Sequence, residues 1–290
     1  MSRRPAVLWI ALLSIAITLA GCAAPSIGGR TLDTSVRSPN QDSRVRYLII
    51  HFTQLDFADS VRVLTDDKSD RRVSSHYLVG VDPPKIHRLV DENRRAWHAG
   101  KSRWQNDTAL NATSIGIEIV NMGDDAESGV NFVDYPAAQI DVVLALVKDI
   151  ASRHAIAPHR ILGHSDIAPQ RKTDPGPKFP WRRLADAGLI PWPDPAQVAS
   201  AMTRLGQTPP NAAWFQERLA AVGYETPRTG AFDEATRRVM ASFQMRYRPT
   251  RYDGLADSET AAILDVAART DGWRIRGADG RWVSYDFDHD

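Results

Sequence analysis

Apolar residues recur along this chain in three successive patterns. Between residues 44 and 120 the runs are short and β-rich, so that VRYLIIHF, SSHYLVG, KIHRLV and TSIGIEIVN each read as a strand. After Asp134 the spacing changes, and Ile140, Val143, Leu144, Val147 and Ile150 share one face of a helix. A third pattern follows the proline-rich PWPDPAQ and TPPN. There WFQERLAAVG, DEATRRVMASFQMRY and DSETAAILDVA predict three short helices, with Asp233 and Asp257 capping the second and third. Leu219, Phe232, Val239, Phe243 and Ile263 are the expected core of that bundle. These patterns predict an α/β domain over 44–190, with a mixed central β-sheet flanked by helices, then a linker over 191–210 and a three-helix domain over 211–268. In the tail, 269–290, Trp273, Ile275, Trp282 and Tyr285 flank an Ala-Asp-Gly turn signal and predict a hairpin.

The first 21 residues follow none of these patterns. Arg3 and Arg4 precede an almost wholly apolar run from Ala6 to Ala20, too short for a membrane span and shaped like a secretory signal. Cys22, the only cysteine, follows in LAGC and cannot close an internal disulfide. LAGC resembles the lipobox of bacterial lipoproteins. That resemblance implies removal of residues 1–21 and lipidation of Cys22. It also implies a Gram-negative outer membrane, because Ala23 stands where inner-membrane lipoproteins carry aspartate, with the folded part facing the periplasm. Residues 22–43, the lipidated cysteine and a stretch rich in Ser, Gly, Pro and Asn, read as a flexible tether. A formal charge of +1 predicts no nucleic-acid partner.

Candidate chemistry concentrates in GHSDIAPQRKTDPGPKFPW, beginning at Gly163. Its four prolines rule out a long helix or a central strand and predict an ordered loop. His164 and Asp174 in this loop, with His51 at the end of the first strand, form an N/N/O set that suits zinc and leaves a fourth position open. With no second cysteine, a structural thiolate site is excluded. On TSIGIEIV, Ile115, Ile117 and Ile119 face one side, and Ser114, Gly116, Glu118 and Val120 the other. Two roles fit Glu118: a proton shuttle beside a metal, or a solvated charge on an edge strand. Lys172 fits either a charge offered to a developing oxyanion or an ordinary solvated lysine.

Five blocks, IIHFT, VSSHYLV, RRAWHAGKSRW, NATSIGIEIVN and ILGHSDIAPQRKTDPGPKFPW, occur in one order over about 44–190. In that order they resemble the zinc-dependent N-acetylmuramoyl-L-alanine amidases of the amidase_2 group, whose fold is shared with peptidoglycan recognition proteins and phage T7 lysozyme. The resemblance implies one zinc on His51, His164 and Asp174, with Glu118 catalytic and Lys172 supporting it. Its WHAG segment implies substrate contacts at Trp97 and His98, although His98 also fits a role in orienting its own loop. Residues 211–268 resemble the three-helix peptidoglycan-binding domain of wall hydrolases. The expected partners are peptidoglycan and muropeptides, with the outer membrane reached through Cys22 and no protein partner. The expected reaction is hydrolysis of the amide between the muramoyl lactyl group and L-alanine in wall turnover; the alternative is a non-catalytic lipoprotein that recognises or tethers the wall. No candidate group lies beyond Asp174, so the second domain is expected to be dispensable for cleaving small muropeptides.

Overall fold

The computed structural model describes residues 26–124 and 132–287, so the signal segment 1–21 and Cys22 lie outside the described residues. The chain divides into two compact units between Asp42 and Ser43. In the first, strands β1 (Ser26–Ile27) and β2 (Arg30–Thr31) make a small antiparallel hairpin. Gly28 and Gly29 take positive φ at its turn, so the expected tether carries one local element.

The second unit is built on a five-stranded sheet. Its elements run β3 (Tyr47–Phe52), α1 (Phe57–Thr65), β4 (Tyr77–Val79), β5 (Ile86–Arg88), the short hairpin β6 (Arg103–Trp104) and β7 (Asp107–Thr108), β8 (Ser114–Ile119), α2 (Ala137–His154) and β9 (Ile161–Gly163). The order across the sheet is β5-β4-β8-β3-β9; β5 is antiparallel and every other pair is parallel. The sheet is therefore mixed, with both faces covered as parallel strands require. Leu48 and Ile50 of β3 and the three isoleucines of β8 pack with Ile140, Val143, Val147 and Ile150 of α2. The alternate residues Tyr47 and Ile49 point to the opposite face.

That opposite face is closed by the C-terminal third of the chain. After α3 (His164–Ile167) and α4 (Trp181–Asp186) come β10 (Trp192–Pro193), α5 (Pro195–Leu205), α6 (Ala212–Val222), α7 (Glu234–Tyr247), α8 (Ser258–Ala267), β11 (Trp273–Arg276) and β12 (Trp282–Ser284). Tyr47, Ile49, Leu162 and Trp104 share one apolar cluster with Phe215, Leu219, Tyr224 and Phe243. Asp233 and Asp257 cap α7 and α8, accepting from the amides of Thr236 and Thr260. Phe232, expected in the bundle core, is 37% exposed and only lays its ring near Phe215. Segment 191–210 differs from a plain linker. Asp194 accepts from the Ala196 amide and Pro195 opens α5, whose Ala201 packs with Ala262 and Val266 of α8. The tail hairpin β11–β12 is extended to three strands by β10 from that same segment. Among the described residues no helix is long and apolar enough to cross a membrane.

One ionic knot ties β4 to α2. Glu92 accepts from the Tyr77 hydroxyl at 2.6 Å, from Arg153 Nη2 at 2.8 Å and lies 2.8 Å from His154 Nε2. Hydrogen bonds from Arg153 above all, then Tyr77 and His154, outweigh burial and draw its carboxyl from 4.5 down to about 2. As pH falls, the unfolded chain takes up this proton before the folded one does. Stability from Glu92 is thus fully present above about 4.5 and is lost as pH drops toward 2. Glu92→Gln should flatten the acid limb of a denaturant-midpoint profile between those two pH values. An unchanged slope there would show that other carboxylates set acid stability.

Candidate metal centre

The three parallel strands β8, β3 and β9 bring their C-terminal ends to one place. His51 and Glu118 are register partners there, and His164 follows Gly163 directly at the end of β9. Loop 168–180 then returns Asp174, so that the Ser165 amide donates to the Asp174 carbonyl at 2.8 Å. The three expected ligands meet. His51 Nδ1 lies 2.9 Å from His164 Nδ1 and 2.9 Å from Asp174 Oδ2, and His164 Nδ1 lies 3.1 Å from the same oxygen. All three residues are buried. Their spacing is close to the edge of about 3.3 Å in a tetrahedron with bonds of about 2.0 Å, which is the geometry of an N/N/O zinc set with one position free.

The protonation pattern fits as well. Burial above all, reinforced by His164, holds His51 down at about 4, so it is a neutral imidazole near pH 7. Burial would raise Asp174, but the two histidines beside it hold it well below the usual carboxylate range. A chain of hydrogen bonds also selects the His51 tautomer. The Ser114 hydroxyl donates its only proton to the Leu110 carbonyl at 2.6 Å, so at 3.1 Å it must accept from His98 Nε2. His98 Nδ1 is then an acceptor, 3.0 Å from His51 Nε2, which must carry the proton. His51 Nδ1 is left with a lone pair facing His164 and Asp174, as a metal ligand requires. His164 Nε2 lies 3.2 Å from both the Ala99 carbonyl and Arg171 Nη2, so its ring is held from behind by the WHAG turn and by the loop's own arginine.

His98 therefore sits behind His51, with both ring nitrogens taken by protein groups and 8% of its surface exposed. Gly116 makes room for it, since a Cβ there would stand 2.5 Å from His98 Cγ. Trp97, the residue before it, is 42% exposed and lines the cleft over the triangle. That cleft, of about 160 Å³, is also lined by Glu118, Lys172, Phe52 and Leu64. Glu118 Oε2 is buried without a hydrogen-bond partner. Burial first, then the charge of Asp174, pushes its carboxyl well above the usual range, while Lys172 pulls the other way. A carboxyl desolvated in this manner is poised to take and return a proton.

Several supporting residues carry no signal in local sequence. Asn111 accepts from the amides of His98 and Ala99 at 3.1 and 2.7 Å and so shapes the WHAG turn. Tyr135 donates to the Pro175 carbonyl at 2.8 Å beside Asp174. Ser114 acts through a partner 16 residues away. The single legible hint was the row of small residues around Glu118.

A mixed α/β sheet that gathers two imidazoles, one carboxylate and a glutamate with a buried, unpartnered oxygen at its strand ends defines a metal-site hydrolase. Comparison with known proteins narrows the class. The profile of the N-acetylmuramoyl-L-alanine amidases matches residues 41–177, and that of a peptidoglycan binding domain matches residues 208–264. N-acetylmuramoyl-L-alanine amidase AmiD of Escherichia coli K12 is 43% identical over 272 residues, 88% of this chain and 95% of AmiD. The AmiD structure in complex with anhydro-N-acetylmuramic acid-L-Ala-D-gamma-Glu-L-Lys superposes with a TM-score of 0.75 at 42% identity, covering 83% of this chain and 95% of AmiD. Pseudomonas aeruginosa AmpDh3, solved with an anhydromuramic pentapeptide, gives 0.73 at 41% identity, covering 81% of this chain and 96% of that one. This chain belongs to the N-acetylmuramoyl-L-alanine amidase family and is an amide hydrolase.

The tautomer chain can be tested directly. His98→Phe keeps a ring of similar size but removes the acceptor for His51 Nε2. Affinity for zinc, measured by competition with a chromogenic chelator, should fall by about 10- to 100-fold while far-UV circular dichroism is retained. Wild-type affinity in this variant would mean that His51 needs no partner behind it.

Proposed function

We propose that this protein is a zinc-dependent amidase that hydrolyses the bond between the lactyl group of N-acetylmuramic acid and L-alanine, in peptidoglycan and in muropeptides. The observation that carries this reading is the buried triangle of His51, His164 and Asp174 with the unpartnered Glu118 oxygen opening on the same cleft. One zinc per chain would be held by His51 Nδ1, His164 Nδ1 and Asp174 Oδ2. Bound there, it supplies a Lewis acid that lowers the pKa of water and polarises a carbonyl.

The side chains do the rest. Glu118 accepts the proton of the attacking water and returns it to the departing amine of L-alanine, roles that a desolvated carboxyl can play in turn. Lys172, exposed on the rim of the cleft, offers positive charge where the carbonyl oxygen turns anionic. Trp97 lies across the same cleft and gives the sugar or the peptide an aromatic face. Ser114 and His98 keep the His51 lone pair aimed inward throughout. A protein that only bound wall fragments would have no use for a buried carboxyl without a partner, and this favours the enzyme over the tether.

The N-terminal segment supports the rest of the reading. Cleavage before Cys22 and lipidation of its thiol would fix the protein to the outer membrane with the cleft in the periplasm. The likeness of the fold to peptidoglycan recognition proteins and phage T7 lysozyme belongs to the same proposal. The helical segment adds a second attachment to the polymer and raises the local concentration of substrate.

Three variants separate these parts. Glu118→Gln should lower turnover of a purified muropeptide by about 10²- to 10⁴-fold with zinc content unchanged. His164→Ala should lose both metal and activity. Near-normal turnover by Glu118→Gln would remove Glu118 from the chemistry. Cys22→Ala should move the protein from the membrane to the soluble fraction with unaltered turnover of soluble muropeptide. Continued membrane sedimentation of that variant would exclude the anchor.

A further inference from the structure

Asp166, two residues after His164, is buried and has 1% of its side-chain surface exposed, yet every one of its contacts is made. Its Oδ2 accepts from the Gly163 amide at 2.8 Å and from Arg246 Nη1 at 2.7 Å, and its Oδ1 accepts from the Tyr224 hydroxyl at 2.7 Å. Gly163 and Asp166 bracket His164 on the loop; Tyr224 and Arg246 come from the helical segment. Arg246 goes further, donating from Nη2 to the Ile161 carbonyl at 3.0 Å and stacking 4.0 Å over the Trp181 ring. Its guanidinium therefore bridges the start of β9, the single turn of α3 and the first residue of α4. Near the start of α7, Arg238 Nη1 donates to the Gln170 carbonyl at 2.7 Å, and Gln170 Nε2 returns a bond to the Ala235 carbonyl at 2.9 Å. Helix α7 thus grips the loop near His164 and again two residues before Lys172.

We propose that α7 is a splint for the loop that carries His164, Lys172 and Asp174. Arg246 and Tyr224, acting through Asp166, are then positioning residues for the metal centre. The proposal rests on the reading of His164 as a metal ligand. The physical reason is the burial of Asp166. Without Arg246 the carboxylate loses its ion pair in a site that water barely reaches, and its hold on the Gly163 amide loosens as it shifts to find another partner. His164 is the next residue, and its turn is also bonded to Asp174 through the Ser165 amide. A shift there moves two corners of the triangle together. The segment that resembles a wall-binding module is, in this account, also part of the catalytic framework. Cleavage of small muropeptides then depends on it, contrary to the expectation drawn from the positions of the catalytic groups alone.

The test uses the full-length soluble protein with Arg246→Met, Tyr224→Phe and a control, Leu264→Ala. The control removes a fully buried side chain of α8 that has no bond to Asp166. Amide hydrogen exchange is followed in the metal-free proteins, and zinc affinity by chelator competition. Arg246→Met should raise exchange across 163–168 at least about tenfold over its effect on β3 and β8, and weaken zinc by a factor of about 10 to 100. Tyr224→Phe, which removes one oxygen and keeps the ring packing, should do the same to a smaller degree and decides the matter if Arg246→Met does not fold. Leu264→Ala should lower thermal stability without a selective effect on the loop or on zinc. Loop exchange in Arg246→Met and Tyr224→Phe no greater than in the control, with zinc affinity equal to wild type, would overturn the proposal. If the wild-type protein binds no zinc, the metal reading falls, and the exchange comparison still decides whether α7 holds the loop.

Discussion

Two imidazoles and a carboxylate lie within 3.1 Å of one another in a site almost closed to water. Such a cluster is tolerable only if the remaining polar atoms have partners. Much of the surrounding structure answers that requirement. The Leu110 carbonyl, Ser114 and His98 form a line of hydrogen bonds behind His51, and the Ala99 carbonyl stands behind His164. Gly116 is small because His98 occupies the space above it. Glu118 is the exception, with one buried oxygen left open on the cleft. In a site where everything else is satisfied, that vacancy in the hydrogen-bond pattern marks where chemistry can occur.

The same demand reaches into the C-terminal helices. Strand β3 is buried on both faces, so the sheet needs a cover on the side of Tyr47 and Ile49 as well as on the side of α2. Helices α6, α7 and α8 provide it, and one apolar cluster runs from the sheet into the bundle. Two independent modules on a flexible linker would each bury their own core. Here the nominal linker forms α5 and β10, which pack on the bundle and on the tail hairpin. The contacts of Arg246, Tyr224 and Arg238 are therefore set in a continuous interior, where a guanidinium can neutralise a buried aspartate without competition from solvent.

Much of this architecture was legible in the chain itself. A β-rich run ending in His51 and an alternating run containing Glu118 announced the two central strands, and Asp233 and Asp257 announced the starts of α7 and α8. Helix α5 was hidden by the prolines around it, although Asp194-Pro195 is itself a start signal. Phe232 was misplaced because spacing shows which residues share a face and not how far that face is covered. The neighbours of the three proposed ligands were harder to read than the ligands. His98, which fitted either a substrate contact or a role in orienting its own loop, has both ring nitrogens bonded inside the protein, and only the tertiary structure shows those bonds.

What the sequence determined by itself are the local properties: strand and helix periods, caps, the rigidity of the proline-rich loop and the residue types able to hold a metal. Tertiary structure alone decided which groups stand behind those residues. Asp166 and Arg246 are 80 positions apart, and His51 and Asp174 are 123 apart. No periodicity spans such distances, because it reports only which residues share a face of one element. The partner across the interior is chosen by the packing of one element on another, and in this protein that packing sets the His51 tautomer, the burial of Glu118 and the grip of α7 on the loop of His164.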